Sequence, residues 1–131
     1  MILQLPLRES IFIPVVIRSP LTGKRYPERG EVLAALDTGY TGFILIPRSV
    51  FTSLELDQLE PVVSLAKTAD GREIKLEGNY AVVEVPEIGL RREGLVETAP
   101  DIEEILLGIE WLSGVYFTLD GCSNAITLDK C

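Results

Sequence analysis

From Ile11 onward the chain breaks into short β-branched and apolar runs, each ended by glycine, proline or an Asp-Gly pair. Runs this short fit strands and are too short for most helices. Ile11 to Ile17, Glu31 to Leu36, Phe43 to Ile46, Val62 to Thr68, Glu73 to Leu76, Tyr80 to Val85, Ile88 to Glu97, Val115 to Leu119 and Ala125 to Leu128 each read as a strand. Pro14 places the first of them at a sheet edge or a bulge. Ser19 to Gly30, with Pro20, Gly23, Pro27 and Gly30 among charges, reads as a loop. Asp70-Gly71 between two strand-like runs is a strong hairpin signal. Gly78-Asn79 and Asp120-Gly121 read as further turns, and Gly89 and Gly94 as interruptions. Evenly spaced short strands with such turns predict an all-β barrel, closed or partly open, or a sandwich.

Two segments have helical character. Pro47 to Leu54 suits a short helix with proline at its first position. Ile102, Ile105, Leu106, Ile109 and Leu112 have helical spacing, and Asp101 with Glu104 resembles a capping box. Gly108 in the middle argues against one continuous helix. The expectation is an extended Ile105-Leu106-Leu107 followed by a short helix over Ile109 to Leu112. With no linker, low-complexity tract or repeat, residues 1–131 are expected to form a single domain.

Composition removes whole classes of chemistry. The chain has no histidine, so Ser-His-Asp and Cys-His nucleophilic sites are excluded and most catalytic zinc sites lose their usual ligands. Carboxylate, Lys, Tyr or Cys remain for proton transfer. Twelve basic against twenty acidic residues give a net charge of −8. That sign disfavours nucleic acid and anionic membrane surfaces as partners. No apolar stretch approaches the length of a membrane span. Met1 to Leu7 lacks a basic leader, and Arg8-Glu9 break its apolar run, so no signal peptide is expected. Cys122 and Cys131 are expected to be reduced thiols in a cytoplasmic protein; a disulfide closing the short tail loop is the alternative.

One constellation carries chemistry. Val32-Leu33-Ala34-Ala35-Leu36 is an apolar strand that delivers Asp37-Thr38-Gly39 into a tight turn, and Phe43-Ile44-Leu45-Ile46 resumes after Gly42. Gly39 permits a close backbone approach or a special dihedral, and Thr38 offers a hydroxyl to a neighbouring backbone. The tripeptide alone favours an ordinary turn aspartate bonding its own backbone.

The ordered set of motifs changes that balance. The apolar strand ending in Asp37-Thr38-Gly39, the Ala69-Asp70-Gly71 hairpin and Ile105-Leu106-Leu107-Gly108-Ile109-Glu110-Trp111-Leu112 together resemble the retropepsin-like aspartic proteases, especially their small bacterial and archaeal relatives. The resemblance spans about residues 11 to 128. It implies an acid-protease barrel with one or two short helices, and a homodimer in which Asp37 meets its symmetry mate. It implies an active-site loop of Thr38, Gly39, Tyr40 and Thr41, and a flap at Ala69, Asp70 and Gly71 that closes over an extended peptide. Leu106, Leu107 and Gly108 would thread past the catalytic loop as its support. Neither a metal nor an organic cofactor is implied.

Tyr40 departs from the pattern, which usually carries a small residue after Asp-Thr-Gly. It is either a wall of the cleft or a packing residue. The first possibility motivates an alternative function, an inactive dimer of the same fold that binds peptides or a partner protein. A structural β-domain with a coincidental Asp-Thr-Gly is a further alternative. Trp111 is expected in the core or at an interface. Glu103-Glu104 form a solvated face in preference to a metal site, and Asp57, Glu60 and Asp129 are expected at the surface.

Overall fold

A computed structural model describes residues 2–6, 10–68 and 70–131. The strands are β1 (Ile2–Pro6), β2 (Phe12–Arg18), β3 (Arg25–Tyr26), β4 (Val32–Leu36), β5 (Ile44–Leu45), β6 (Val62–Lys67), β7 (Glu73–Val85), β8 (Leu90–Thr98), β9 (Leu106–Leu107), β10 (Val115–Asp120) and β11 (Ala125–Lys130). The helices are α1 (Arg48–Ser53) and α2 (Ile109–Leu112), with 3-10 turns at Leu56–Gln58 and Pro86–Ile88. The all-β expectation and both short helices are therefore met.

The larger sheet runs β3-β2-β4-β9-β5-β8-β7-β6. β2 also pairs with β7 through Val16–Glu84, Ile17–Val83 and Arg18–Val82, which makes the sheet ring-like. Pro14 lies where β2 is laddered to β4 alone, through Phe12–Ala35 to Val15–Val32, so its missing N–H interrupts no second ladder. A second sheet, β1-β11-β10, joins the two ends of the chain.

Strand alternation explains the core. Ile13, Val15, Ile17, Ala81, Val83 and Val85 are fully or almost fully buried and meet Phe43, Ile44, Ile46, Leu107 and Trp111 inside the ring. Trp111 is buried completely. The Arg92 guanidinium donates to the Trp111 carbonyl and lies 5.7 Å from the Phe43 ring centroid, tying β8 to α2 by a hydrogen bond and a cation–π contact.

Several boundaries differ from the sequence expectation for physical reasons. β1 was not anticipated; its residues form a strand because β11 supplies a partner from Asp129 back to Ala125. Gly78-Asn79 is no turn. Both residues lie inside β7, paired to Glu97 and Val96 of β8, and the Asn79 amide donates to the Leu56 and Leu59 carbonyls at 2.8 and 3.4 Å. A residue type favoured in turns here clamps the 3-10 turn onto the sheet. Gly94 continues β8 opposite Ala81, and only Gly89 breaks the run, with φ at +62°. The segment expected as a loop contains β3, held to Ile17 and Arg18. Pro47 caps α1 from outside (φ −59°, ψ 149°) instead of opening it. The last turn spans 121–124. It is organised by Asp120, whose carboxylate accepts from the Cys122 and Ser123 N–H groups and the Ser123 hydroxyl. Those bonds, the Ser123 hydroxyl first, hold Asp120 below the usual carboxylate range.

Cys122 and Cys131 are free and exposed. Asp57 and Glu60 are exposed, while Asp129 is only partly so. Among the described residues no helix is long and apolar enough to cross a membrane.

Trp111 locks α2 into the ring. Trp111→Ala is expected to lower unfolding free energy by about 3–5 kcal/mol, measured by urea unfolding followed by circular dichroism.

Candidate active site

Asp37 follows β4 directly, and its backbone is fixed from the side by β9. β9 lies parallel to β4 through Ala35–Leu106 and Leu36–Leu107 and antiparallel to β5 through Ile44–Leu107 and Leu45–Leu106. The loop of residues 37–43 thus leaves one flank of β9 and returns along the other. The Asp37 N–H donates to the Leu107 carbonyl at 2.9 Å, and the Gly108 N–H to the Phe43 carbonyl at 3.0 Å. The first N–H groups of a helix have no partner within it. Here Ile109 N–H donates to the Tyr40 carbonyl at 2.9 Å and Glu110 N–H to the Gly42 carbonyl at 3.1 Å. The loop therefore caps α2, and α2 holds the loop.

Gly108 makes this approach possible. A Cβ there would lie 2.1 Å from the Gly42 carbonyl oxygen and 2.7 Å from Tyr40 Cδ2. Its φ of −95° is ordinary, so close contact, not dihedral freedom, requires the glycine.

Within the loop, the Asp37 carboxylate accepts from the Gly39 N–H at 2.9 Å, and the Tyr40 N–H donates to the Asp37 carbonyl at 3.1 Å. Asp37 is half-buried, while Thr38, Gly39 and Thr41 are exposed. The carboxylate is held rigidly with solvent at its door. The same geometry is that of an Asx-type turn, so the local bonds alone fit both roles considered for Asp37.

Tyr40 turns inward. Its hydroxyl donates to Glu97 Oε1 at 2.5 Å and lies 3.3 Å from the Ile44 carbonyl. Its ring packs against the small buried cluster of Leu45, Leu76 and Ala99, which Ala66, Ile74, Ile102 and Leu106 also flank. The choice between cleft wall and packing residue is thereby resolved toward packing. Burial, then the hydrogen bond to and charge of Glu97, then the charge of Glu110, push the Tyr40 hydroxyl far above the usual tyrosine range.

Asp70 and Gly71 sit at the tip of that hairpin, and Ala69 lies outside the described residues. The tip is closed by Thr68 N–H to the Arg72 carbonyl at 2.8 Å and Gly71 N–H to the Thr68 carbonyl at 2.9 Å, with Gly71 at φ +84°. The Thr68 hydroxyl and the Arg72 guanidinium both donate to the Asp70 carboxylate. The Thr68 bond first, then the Arg72 N–H, lowers its pKa. Of the residues singled out in the sequence, Asp37 to Thr41 and Leu106 to Gly108 are brought into one hydrogen-bonded unit. The hairpin joins them lower down, through the apolar cluster at its base and the Ser64–Glu97–Tyr40 hydrogen bonds.

Two residues of this assembly escaped the sequence reading. Glu97 is 5% exposed and also accepts from the Ser64 hydroxyl at 2.6 Å. A carboxylate in the apolar stretch Leu95-Val96-Glu97-Thr98-Ala99 was the available signal. Ser64 carried none.

A surface cavity of about 620 Å³ is lined by residues 23–28 with Ser49, Val50 and Ser53 and includes no residue of the Asp37 loop. A cavity of about 300 Å³ is lined by Phe12, Leu33, Ala35, Ile105, Glu103 and Glu104 among others. No group of residues suited to hold a metal occurs among those described.

No family model matches the chain. An uncharacterized protein of Archaeoglobus fulgidus is 38% identical over 119 residues, covering 91% of this chain and 93% of that one, and the two belong to one family. Among solved structures, the retropepsin-like aspartic protease from Rickettsia conorii superposes with a TM-score of 0.67 at 17% identity, covering 98% of this chain and 89% of that chain. The fold is retropepsin-like. The EIAV protease complexed with the inhibitor HBY-793 superposes with a TM-score of 0.51 at 14% identity, over 82% and 88% of the two chains. In this retropepsin-like fold the β4–loop–β5 unit threaded by β9 carries Asp37.

The raised Tyr40 value has a definite sign. Its stabilising contribution belongs to the protonated hydroxyl, is complete below the ordinary tyrosine value of about 10, and is lost as pH rises through the higher folded value. Alkaline titration of tyrosinate absorbance is expected to contain a late step, coincident with unfolding, that Tyr40→Phe lacks.

Proposed function

We propose that this chain is an aspartic endopeptidase that works as a homodimer, with Asp37 and its copy forming the catalytic pair. The observation that carries this proposal is the Asp37 loop itself. One carboxylate stands at the mouth of a rigid turn, its backbone fixed by Leu107, in a chain of retropepsin-like fold. One such loop supplies half of the required chemistry, and a two-fold axis supplies the other half. Thr38 and Gly39 are exposed in the single chain, which leaves the loop free to meet its copy.

In the dimer the two Asp37 carboxylates share a proton, because like charges at about 3 Å do not both ionise. The ionised member takes a proton from water, and the water attacks the peptide carbonyl. The protonated member supports the developing oxyanion and returns a proton to the departing nitrogen. The pair titrates as a unit. Thr38 bonds across the axis and steadies the two loops. The Thr68–Arg72 tip folds over the substrate as a lid, and an extended peptide lies along the loop as an added strand. Leu33 and Ala35 share one face of β4 just ahead of Asp37, and the cavity of about 300 Å³ that they help line receives a substrate side chain. The inward turn of Tyr40 supports hydrolysis over a non-hydrolytic binding module.

The test has two stages. Sedimentation across a concentration series is expected to give twice the 14.4 kDa chain mass; a monomer throughout overturns the mechanism. Cleavage of a peptide library is then expected to fall at least about a hundredfold in Asp37→Asn with the dimer kept, and an unchanged rate refutes the assignment. The shared proton is lost as pH rises, so the rate is expected to decline from acid toward alkaline pH. A rate climbing steadily above neutrality contradicts the shared-proton chemistry.

A further inference from the structure

Two hydroxyls from distant elements converge on one buried carboxylate. Tyr40 Oη of the Asp37 loop donates to Glu97 Oε1 at 2.5 Å, and Ser64 Oγ of β6 donates to Glu97 Oε2 at 2.6 Å. Both lengths fall in the range for hydroxyls donating to an ionised carboxylate. Among the described residues no lysine or arginine pairs with Glu97. A buried carboxylate without a cation is unfavourable unless hydrogen bonds occupy its lone pairs, and buried ionic groups are weak sources of stability. The site therefore calls for a role beyond packing.

Its place in the sheet supplies one. β6 is an edge strand, separated from β4 by β9, β5, β8 and β7 one way round the ring and by β2 and β7 the other, and it shares no ladder with the Asp37 loop. Glu97 stands on β8 between them, paired to Leu45 of β5 and Gly78 of β7. Its two oxygens are the polar link from the loop that presents Asp37 to the arm that carries the hairpin tip.

We propose that Glu97 is a positioning residue whose carboxylate clasps the Asp37 loop to the β6 arm, so that loop and hairpin keep one mutual setting. This rests on the protease reading for its catalytic consequence, though the clasp itself is a property of the single chain. Glu97 touches neither substrate nor the reacting carboxylate; it acts through Tyr40 and Ser64. A change at either hydroxyl is then felt on the opposite element.

Amide hydrogen exchange of the uncleaved protein, read by mass spectrometry, tests the clasp without reference to activity. Tyr40→Phe keeps the ring and removes only the hydroxyl. It is expected to raise exchange severalfold in residues 62–67 as well as in 37–42. Ser64→Ala is expected to do the same in 37–42. Adding Tyr40→Phe to Glu97→Gln is expected to change 62–67 less than Tyr40→Phe does alone. Exchange confined to the mutated element in both single variants overturns the proposal, whether or not the protein cleaves peptides. Where a cleaved peptide is in hand, Tyr40→Phe is expected to lower kcat roughly tenfold with KM within about twofold, and an unchanged kcat overturns the positioning role. Coupled exchange in a chain that hydrolyses nothing would refute the protease reading and leave the clasp standing.

Discussion

The passage of Leu106-Leu107 between β4 and β5 is the constraint on which the rest of the molecule depends. Two residues of strand bond on one side to the strand that delivers Asp37 and on the other to the strand that leaves it. A loop of seven residues between β4 and β5 would otherwise be free to move, since loops ordinarily run on the surface with few fixed bonds. Here Leu107, Ile109 and Glu110 fasten it at Asp37, Tyr40 and Gly42. The helix that supplies two of those bonds is itself anchored by Trp111 in the core. Core packing, helix capping and presentation of the carboxylate are therefore one structure.

Much of this was legible in the sequence because it follows from local chemistry. The β-branched runs, the Asp70-Gly71 turn and the break at Gly108 state their conformations directly, and the split of residues 105–112 into strand and helix holds. What could not be read is set by partners distant in sequence. β1 is a strand because β11 lies beside it. Gly78-Asn79 has the composition of a turn, yet ladders to β8 and the carbonyls of residues 56 and 59 keep it extended. Local propensity is a weak prior when tertiary bonds compete with it.

The candidate site divides in the same way. Asp37, Thr38 and Gly39 form a contiguous motif and were found as one. Glu97 and Ser64 are 33 residues apart, and Tyr40 is 57 from Glu97, so no spacing rule could join them. Tyr40 was ambiguous because sequence gives residue type and not direction. The structure resolves it through one hydroxyl bond.

Direction also explains how a bulky aromatic is accommodated beside an Asp-Thr-Gly loop. Packed outward, a tyrosine ring would cover the carboxylate. Turned inward, it must bury a hydroxyl, and a buried hydroxyl without a partner is destabilising by about 1–3 kcal/mol. Glu97 supplies that partner but brings a charge, which one hydroxyl alone would leave half-satisfied. Ser64 completes the set. Each member is tolerable only with the other two, as holds for buried polar networks that are fully connected. The large residue beside the mouth of the loop is thus supported from β8 and from the hairpin arm, and the hydrogen bonds that hold it reach as far as β6.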